Sequence, residues 1–447
     1  MKKSNYNIFI PKKGFVVGYN SFTNKHIGLP HKVYNLFVEE NDISVFKGRY
    51  PKHFDGLVEY GFIIDDTVDE LSQIRLRNKE EAFASRNLYI MIYPTQDCNL
   101  KCWYCYESHV KDSLMSPEVM ERVYMLVEKK LISNEFDSLQ LGFFGGEPLT
   151  NFENIAFPLA KTLRQMVEAK GKKFHSFFVT NGSLITPEMI PLLKEINPYF
   201  QITIDGCKEK HNKVRIWKKD NGPTYDTIIA AIKMITSQIY DSKVYDRPIV
   251  TLRINYDNQT LKHITEVLDD INEIDRNSLT IHFERVWQTR HLVNEEQHEL
   301  FRNVFKQFYM HGFHLHHGCF GIRNVSCPAE TSSFIIVNYN GLLYRCNGRT
   351  LTPETKEGEL LDDGTITWDA NIKAKRLGLS TFENPRCLNC IMLPQCLGPC
   401  SQKLKEHGEV RDEICSLASL DLPLEEYIAM RFEMKYYNDL NCEKNEI

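Results

Sequence analysis

Three cysteines in one short stretch are the residues of this chain best suited to chemistry. Cys98, Cys102 and Cys105 follow a C-x3-C-x2-C pattern, after a strand-like run at residues 88–94 and before a predicted helix near Ser116. Such a loop can wrap three thiolates around one face of a cubane iron–sulfur cluster and leave the fourth iron open. Zinc would need a closed set of four ligands, and a disulfide would leave one thiol over. The spacing favours the cluster.

The elements that must position this loop alternate between strand and helix from residue 87 onward. Predicted strands lie at 88–94, 139–144, 174–179, 200–204, 249–255 and 279–286. Predicted helices between and after them include 117–131, 187–196, 227–239, 261–271 and 295–309. This alternation predicts βα units and a parallel sheet with right-handed crossovers. Six units are two short of a closed eightfold barrel, and chemistry gathers at the carboxyl ends of such strands.

Polar and glycine-rich turns follow the predicted strands where that chemistry should lie. They are Gly145-Gly146-Glu147-Pro148, Thr180-Asn181-Gly182, Thr203-Ile204-Asp205-Gly206, and Arg253 with Asn255. Paired glycines let the backbone approach a ligand, and a carboxylate beside them can hold an ammonium. Taken alone, the same residues also fit a glycine-rich strand exit with a solvated Glu147, and a buried Arg253 paired with Asp205.

The C-terminal region repeats the cysteine signal. Eight cysteines occur there, at 319, 327, 346, 387, 390, 396, 400 and 415, with Gly341 between the second and third. Eight thiolates suffice for two fully ligated [4Fe–4S] clusters, whereas zinc ribbons are the alternative use of paired cysteines. His314, His316 and His317 are interpreted as a polar loop, and Cys207 and Cys442 as structural residues.

Composition limits the classes of protein that remain. The chain has 447 residues, 42% hydrophobic and 25% charged, with a net charge of −5. It is long enough for two or three domains, and its charge gives no case for nucleic acid as a partner. It lacks an apolar run long enough for a transmembrane helix and a secretory signal, so we expect a cytoplasmic protein without a membrane partner. Thirteen cysteines then indicate metal ligands rather than disulfides.

Together these motifs resemble those of the radical S-adenosylmethionine (SAM) enzymes that carry a C-terminal SPASM domain. The resemblance covers roughly residues 88–415 and implies an α/β fold with a partial, TIM-like (β/α)6 barrel. It implies that Cys98, Cys102 and Cys105 hold the SAM-binding cluster, with Tyr104 as the aromatic residue that usually precedes the third cysteine. Trp103 we interpret as a packing residue. The residues implied for binding SAM are Gly145, Gly146, Glu147, Asn181, Thr203, Asp205 and Arg253.

The resemblance also implies two auxiliary clusters. In the sulfatase-maturing members the final cysteines are shared between clusters. The implied ligands of the first auxiliary cluster are Cys319, Cys327, Cys346 and Cys400. Those of the second are Cys387, Cys390, Cys396 and Cys415. His211 and Arg215 follow Asp205 at a spacing that many peptide-modifying members share, with no role evident from the sequence.

The chemistry implied is radical hydrogen abstraction. One electron from the reduced cluster cleaves SAM, and the resulting 5′-deoxyadenosyl radical removes hydrogen from an unactivated C–H bond. An electron donor such as flavodoxin or ferredoxin is implied as a partner. Auxiliary clusters offer an exit for the electron of the product radical, which suits oxidation of a peptide to form a thioether or carbon–carbon crosslink. The residue that acts as the catalytic base, the precursor peptide and the bond formed are not evident from the sequence.

The first 85 residues have a different pattern. Short predicted strands at 6–10, 14–19 and 25–29 precede a predicted helix at 31–40. The pattern resembles the winged-helix-like domain that holds the leader of a precursor peptide as an added edge strand; the alternative is a cap on the barrel. We therefore predict three domains: leader recognition at 1–85, the radical SAM barrel at 86–310 and the SPASM domain at 311–447.

Two other functions compete with a precursor-peptide maturase. One is an anaerobic sulfatase-maturing enzyme, in which an Asp commonly follows the cysteine equivalent to Cys346 and acts as a base. Asn347 stands there and takes up no proton at neutral pH. The other is a non-catalytic, cluster-bearing peptide-binding protein, which would not need Cys98, Cys102, Cys105 and Glu147 intact.

The cysteine count predicts the metal content. Anaerobically reconstituted protein should hold about twelve irons per chain, because three cubane clusters contain four each. A triple alanine variant at Cys98, Cys102 and Cys105 should lose about a third of that iron and all SAM cleavage. Iron and zinc analysis checks this expectation; about four irons together with bound zinc would show that the C-terminal cysteines form ribbons.

Overall fold

The computed structural model describes residues 1–292, 294–318 and 320–436, so Cys319 and Cys442 lie outside the described residues. By its internal contacts the chain divides into two units. The first unit comprises Met1–Ala84, His317–Glu330 and Leu379–Ile447, and the second comprises Ser85–His316 and Thr331–Gly378. The division after residue 84 falls at the first predicted domain boundary. The region predicted as a SPASM domain contributes segments to both units.

The N-terminal segment of the first unit has strands followed by helices. Its strands are β1 (Lys2–Lys3), β2 (Asn7–Pro11), β3 (Val16–Asn20), β4 (Lys25–Leu29) and β5 (Ile63–Ile64). Its helices are α1 (His31–Glu39), α2 (Ile43–Arg49), α3 (Pro51–Glu59) and α4 (Glu70–Ala84). Strands β2, β3 and β4 form an antiparallel sheet in that order, and β1 pairs with β5.

The second unit contains the alternating segment. Its strands up to residue 316 are β6 (Asn87–Ile92), β7 (Leu100–Cys102), β8 (Ser138–Phe143), β9 (Lys173–Thr180), β10 (Pro198–Ile204), β11 (Arg215–Trp217), β12 (Val250–Tyr256), β13 (Leu279–Arg285) and β14 (His314–Leu315). Its helices there are α5 (Pro117–Ile132), α6 (Phe157–Glu168), α7 (Met189–Lys194), α8 (Lys208–Val214), α9 (Tyr225–Gln238), α10 (Val267–Ile271) and α11 (Glu295–Met310).

The remaining elements belong to the C-terminal third. In the second unit they are β15 (Phe334–Val337), β16 (Leu342–Tyr344), β17 (Gly358–Leu360), β18 (Ile366–Trp368) and α12 (Ala370–Gly378). In the first unit they are α13 (Pro385–Leu388), α14 (Leu393–Cys396), α15 (Ser401–His407) and α16 (Leu424–Lys435).

The second unit is built on one mixed sheet of eleven strands among the described residues. Six parallel strands lie side by side in chain order, β6-β8-β9-β10-β12-β13. The parallel pairing continues with β14 beyond β13 and with β15 beyond β6, and β15, β16, β17 and β18 then pair antiparallel in that order. All six are at the predicted positions, and the α/β class is confirmed. Their buried runs of branched and aromatic residues, such as Leu139, Leu141 and Phe143 in β8, fit a sheet covered on both faces.

The small sheet of the first unit is also covered on both faces. Phe9, in the middle of β2, packs against Phe37 and Phe62 on the helical side. On the other face Phe432 of α16 stacks near His26 and comes within 3.3 Å of the position a side chain would occupy at Gly28. Alternate strand residues therefore serve two cores. Helix α16 of the same unit thus covers the second face of this sheet. The sequence analysis did not predict this packing.

No helix among the described residues is long and apolar enough to cross a lipid bilayer.

The packing of α16 on the sheet predicts a stability effect. Replacing Phe432, which is 5% exposed, by alanine should lower the free energy of unfolding by about 3–5 kcal/mol, because a buried aromatic ring leaves a cavity. Phe83→Ala on α4 is the matched control, since that ring is 59% exposed. Urea unfolding measures both. Equal stability of the two variants would contradict this role of α16.

Candidate active site

A cavity of about 370 Å³ opens at the carboxyl ends of the parallel strands in the second unit. All three cysteines of the predicted cluster loop line it. Of the residues predicted to bind SAM, those lining the cavity are Gly145, Gly146, Asn181, Thr203 and Arg253. Glu147 and Asp205 do not line it; they lie buried next to it, 1% and 3% exposed.

The cysteine loop has the properties of a site for positively charged metal. Burial raises the pKa of the Cys98 thiol to about 12 and that of the Cys102 thiol to about 11. Burial also raises the pKa of Cys105. The Leu100 N–H donates to Cys98 Sγ at 3.4 Å. Thiolates at such buried positions need cationic metal beside them, so three thiols converging on one cavity fit an iron–sulfur cluster.

Gly145 and Gly146 hold the cysteine loop by close backbone approach. They follow β8, which ends at Phe143, and the Gly146 N–H donates to Thr95 O at 3.1 Å. A Cβ on Gly145 would lie 2.3 Å from Thr95 O, and one on Gly146 would lie 1.9 Å from Asp97 O. Gly145 also has φ +115°, which favours glycine. Any side chain here would push away the segment that leads into Cys98.

The Glu147 carboxylate is bonded within the protein. Its Oε1 accepts from the Thr180 hydroxyl at 2.7 Å and from the Leu149 N–H at 3.0 Å. Its Oε2 accepts from the Asn181 N–H at 2.8 Å. Burial raises the pKa of Glu147, while these three hydrogen bonds favour its charged form. The carboxylate therefore joins the ends of β8 and β9, and its predicted contact with SAM stays a prediction.

A series of side-chain hydrogen bonds fixes the middle of the cysteine loop. Asn181 Nδ2 donates to Asn99 Oδ1 at 2.8 Å, and Asn99 Nδ2 donates to Ser183 Oγ at 2.9 Å. Asn181 Oδ1 in turn accepts from the Ser183 backbone and hydroxyl. The turn after β9 thus sets the position of the residue between the first two cysteines, besides lining the cavity.

A buried network anchors the other end of the loop. Tyr104 donates its hydroxyl to Asp205 Oδ1, and Arg215 donates Nε–H to Asp205 Oδ2 at 2.9 Å. Arg215 Nη2 and Asn255 Nδ2 both donate to the Tyr104 hydroxyl, at 2.7 and 2.9 Å. In addition β11 pairs antiparallel with β7, which sets Arg215 opposite Cys102. The network assigns Arg215 a positioning role that the sequence left open.

His211 supports this network as a neutral ring. Its Nδ1 accepts from the Asp205 N–H at 3.1 Å, so the proton lies on Nε2, 2.9 Å from Thr224 Oγ1. Burial lowers the pKa of His211 to about 4. A neutral imidazole with this tautomer bridges the turn after β10 to the start of α9.

Arg253 is the positively charged residue among those predicted to bind SAM, and its guanidinium is available to a ligand. Asp205 is paired with Arg215, so the alternative pairing of Arg253 with Asp205 is wrong. Arg253 donates Nε–H to Asn255 Oδ1 at 3.0 Å and lines the cavity. Among the described residues its terminal nitrogens have no hydrogen-bond partner, which suits a carboxylate or ribose.

The structure brings further side chains to the cavity that sequence reasoning missed. They include Tyr106, Glu107, His109, Glu284, Arg285, Trp287 and Arg349. Glu107 follows the third cysteine by two residues, and burial raises its pKa to about 7. Glu284 and Arg285 end β13, so the rule of carboxyl strand ends could have indicated them. Arg349 comes from the loop after Cys346, which no local pattern connects to the barrel.

The interpretation of Trp103 as a packing residue is wrong. Its indole is 60% exposed, while the neighbouring Tyr104 carries the buried contacts. Both residues lie in the turn that follows β7, where the Cys105 N–H donates to Cys102 O at 3.1 Å.

Four C-terminal cysteines converge in the first unit. Cys387 and Cys415 pack in one hydrophobic cluster, and after burial the charges of these two thiolates raise the pKa of Cys390. A Cβ on Gly398 would lie 3.5 Å from Cys387 Sγ, and Cys396 Sγ lies 3.9 Å from Gly398 O. These four are the predicted second auxiliary set. Burial thus again accompanies clustered thiols.

The predicted first auxiliary set is only partly described. Cys327 and Cys400 belong to the first unit and Cys346 to the second, whereas Cys319 lies outside the described residues. Cys396 and Cys400 line a further cavity of about 170 Å³. Cys207 is 3% exposed, as expected of a structural cysteine.

Comparison with known families identifies the central domain. Residues 92–271 match the family model described as the Radical SAM superfamily. The chain therefore contains a radical SAM domain, for which a [4Fe–4S] cluster and SAM are the implied cofactors. The matched range includes the cysteine loop and the turns after β8, β9, β10 and β12.

Two relatives that this chain resembles over about 160–170 residues are named for different functions. The chain is 29% identical over 170 residues to the radical SAM cyclopropyl synthase TigE of Paramaledivibacter caminithermalis, covering 34% of this chain and 35% of that one. It is 26% identical over 159 residues to a serine-type anaerobic sulfatase-maturating enzyme of Bacteroides thetaiotaomicron, covering 34% and 37%. The matches span about a third of these curated relatives.

Among solved structures, native anSMEcpe with bound AdoMet and the Cp18Cys peptide has a similar fold. The TM-score is 0.57 with 19% identity, and the likeness covers 81% of this chain and 100% of that one. At this identity the likeness supports the fold alone.

The bonding of Glu147 predicts that Glu147→Gln weakens folding. In this variant an NH2 group replaces one acceptor oxygen of the carboxylate and faces a hydrogen-bond donor. The free energy of unfolding should therefore fall by about 1.5–3 kcal/mol. Anaerobic urea unfolding measures this change. If the carboxylate contacts the SAM ammonium instead, stability should stay unchanged while SAM affinity falls on the order of tenfold to a hundredfold.

Glu107→Gln is the control for that experiment. Burial raises the pKa of Glu107 to about 7, so much of this carboxyl is already uncharged near neutral pH. Replacement by a neutral amide of the same size should change stability little.

Proposed function

We propose that the protein is a radical SAM enzyme that modifies a ribosomally synthesised precursor peptide by hydrogen abstraction, forming an intramolecular thioether or carbon–carbon crosslink. One observation carries the radical SAM part. Three free cysteines, the half-buried Cys98 and Cys102 and the exposed Cys105, share a cavity with Asn181, Thr203 and Arg253 at the strand ends. The named function of the sulfatase-maturating relative, and the peptide bound to anSMEcpe, make a peptide the favoured substrate class.

In this proposal the residues of the cavity bind and position. Cys98, Cys102 and Cys105 hold a [4Fe–4S] cluster, which with SAM supplies a 5′-deoxyadenosyl radical after one-electron reduction. Arg253 receives the SAM carboxylate or ribose, and Asn181 and Thr203 offer polar contacts beside it. The hydrogen bonds of the Tyr104 hydroxyl to Asp205, Arg215 and Asn255 anchor the loop that carries the cysteines.

The C-terminal cysteines supply an electron exit in this proposal. Cys387, Cys390, Cys396 and Cys415 would hold one auxiliary cluster, and Cys319, Cys327, Cys346 and Cys400 the other. Eight thiolates match two closed [4Fe–4S] sites. Among the described residues no group of three or more His, Cys, Asp or Glu side chains is spaced for a single metal ion. A substrate radical that forms a new bond must lose one electron, which such clusters can accept.

The sulfatase-maturing alternative is less well supported by the residues. Asn347 follows Cys346 where those enzymes commonly have an Asp base. The main-chain oxygen of Asn347 accepts a hydrogen bond from the Tyr106 hydroxyl at 2.7 Å. An amide does not take up a proton at neutral pH. Conversion of a sulfatase-derived Cys or Ser peptide to formylglycine would establish this alternative instead.

Leader capture is proposed for the sheet of β2, β3 and β4. Its composition favours an acidic leader, since five lysines and no acidic residue occur in residues 1–30. Lys2 and Lys3 donate to main-chain carbonyls of the same unit, whereas Lys13 and Lys25 are exposed. Main-chain pairing along a sheet edge would give affinity with little dependence on leader side chains. The lysines would add attraction that salt screens.

The proposal predicts that a double variant, Lys13→Glu with Lys25→Glu, slows crosslinking of the full precursor severalfold at low salt. Reversed charges repel an acidic leader, and exposed charges are screened beyond about 8 Å at physiological ionic strength. The peptide encoded beside the gene is the substrate, and loss of two hydrogens per crosslink is followed by mass spectrometry. SAM cleavage without peptide should not change.

Point variants are preferable to removal of residues 1–84, because that segment shares its unit with six of the described candidate cluster cysteines. Lys79→Glu with Lys405→Glu, on α4 and α15, is the matched control and should crosslink normally. Equal rates for both double variants would show that leader binding does not use this sheet.

A further inference from the structure

The smaller cavity of the first unit, of about 170 Å³, opens beside two of the C-terminal cysteines. These are Cys396 and Cys400, one from each predicted auxiliary set. The other side chains that line the cavity are polar or charged, namely Arg323, Ser326, Lys403 and Ser416. A cluster held by either cysteine would therefore face these side chains.

Arg323 and Lys403 make the wall of this cavity positively charged. Both side chains are half-buried. Arg323 donates Nη2–H to Gly318 O at 2.7 Å, and neither residue forms an ion pair within the part of the chain that the structure describes. No acidic residue is among the described residues that line the cavity. The two positive charges are therefore directed at the space beside the cysteines.

Lys403 reaches the cavity because of its position on α15. This helix begins directly after Cys400, and Lys403 is three residues beyond that cysteine, on the same side of the helix. Lys405 is two residues further on, about 200° around the helix axis, and it does not line the cavity. The helix thus fixes one positive charge next to a candidate cluster ligand.

Glu330 is the acidic residue that contacts this wall. Its carboxylate accepts from the Ser326 N–H at 3.2 Å, from the Ser326 hydroxyl and from the Ser401 N–H at 3.0 Å. This single negative charge offsets only one of the two cations. An excess of positive charge therefore remains at the cavity.

Positive charge at this place affects the redox properties of a cluster. A [4Fe–4S] centre held by thiolates is anionic, and reduction adds a further negative charge. A nearby cation stabilises the reduced form more than the oxidised form, because the Coulomb attraction grows with the charge of the cluster. The cluster then has a higher reduction potential and is a better electron acceptor.

We propose that Arg323 and Lys403 raise the reduction potential of the auxiliary clusters bound at Cys396 and Cys400. The proposal rests on the proposed function, in which these clusters are the electron exit. For each crosslink, one hydrogen atom passes to the 5′-deoxyadenosyl radical, one proton leaves to water and one electron reduces an auxiliary cluster. The two cations favour that last transfer.

The experiment measures midpoint potentials on the full, reconstituted chain by redox titration followed with electron paramagnetic resonance. Arg323→Gln with Lys403→Gln should lower the potential of at least one auxiliary cluster and leave the iron content unchanged. At a fixed potential, the ratio of reduced to oxidised cluster should fall about tenfold, because two nearby unit charges are lost. This change corresponds to about 59 mV for one electron.

A variant that preserves charge separates electrostatics from packing. Arg323→Lys with Lys403→Arg exchanges the two cations and should keep the parent potentials. Lys79→Gln with Lys405→Gln is the matched control, since it removes two positive charges of the same unit from side chains that do not line the cavity. It should also keep the parent potentials.

Unchanged potentials after loss of the two cavity charges, or an equal fall in the control, would overturn the proposal. A fall in the charge-preserving variant would overturn it as well. If the double glutamine variant loses iron, the two single variants are titrated, and loss of iron in both would show a structural role instead. A parent chain with about four irons and bound zinc would contradict the proposed function itself.

Discussion

The buried ion pair of Asp205 and Arg215 is the contact on which the arrangement of the site depends. Arg215 is at the start of β11 and Asp205 follows β10, so this ion pair ties the two-stranded sheet of β7 and β11 to the parallel sheet. The Tyr104 hydroxyl completes the pair and brings in the cysteine loop. A buried charge without its partner is strongly unfavourable. Removal of either charged partner would therefore destabilise all three segments.

Burial of the thiols imposes a second constraint. The same desolvation that raises the pKa values of Cys98 and Cys102 keeps these groups protonated in the metal-free chain. Metal must displace those protons, so cluster assembly releases acid and contributes to folding of the loop. The glycines after β8 hold the segment before Cys98 by backbone contact, which leaves its geometry independent of the metal. The loop is thus partly organised before the cluster is inserted.

The alternation of strand and helix and the spacing of the motifs predicted the local structure well. Contacts between segments that are distant in the sequence could not be predicted. The six parallel strands and the strand-end turns follow from alternation of strand and helix, because that pattern is local. The direction of a side chain within a turn is not local. The motif identifies Glu147, yet its carboxylate bonds to Thr180 and Asn181. Trp103, which was predicted to pack, is 60% exposed.

Residues that reach the cavity from elsewhere in the chain, such as Arg349, were invisible for the same reason. The division into units shows this limit at a larger scale. The change in strand and helix pattern predicted a boundary near residue 85, but it could not predict that the N-terminal sheet recruits a helix from the other end of the chain.

That recruitment has a consequence for protein engineering and for recombination between homologous genes. A sheet whose second face is completed by Phe432 cannot be moved as a contiguous cassette. A chimera that exchanges residues 1–84 alone would place a foreign sheet against the resident α16, with mismatched side chains at the seam. Viable exchanges would have to carry both chain ends together, so this unit is inherited as a discontinuous block.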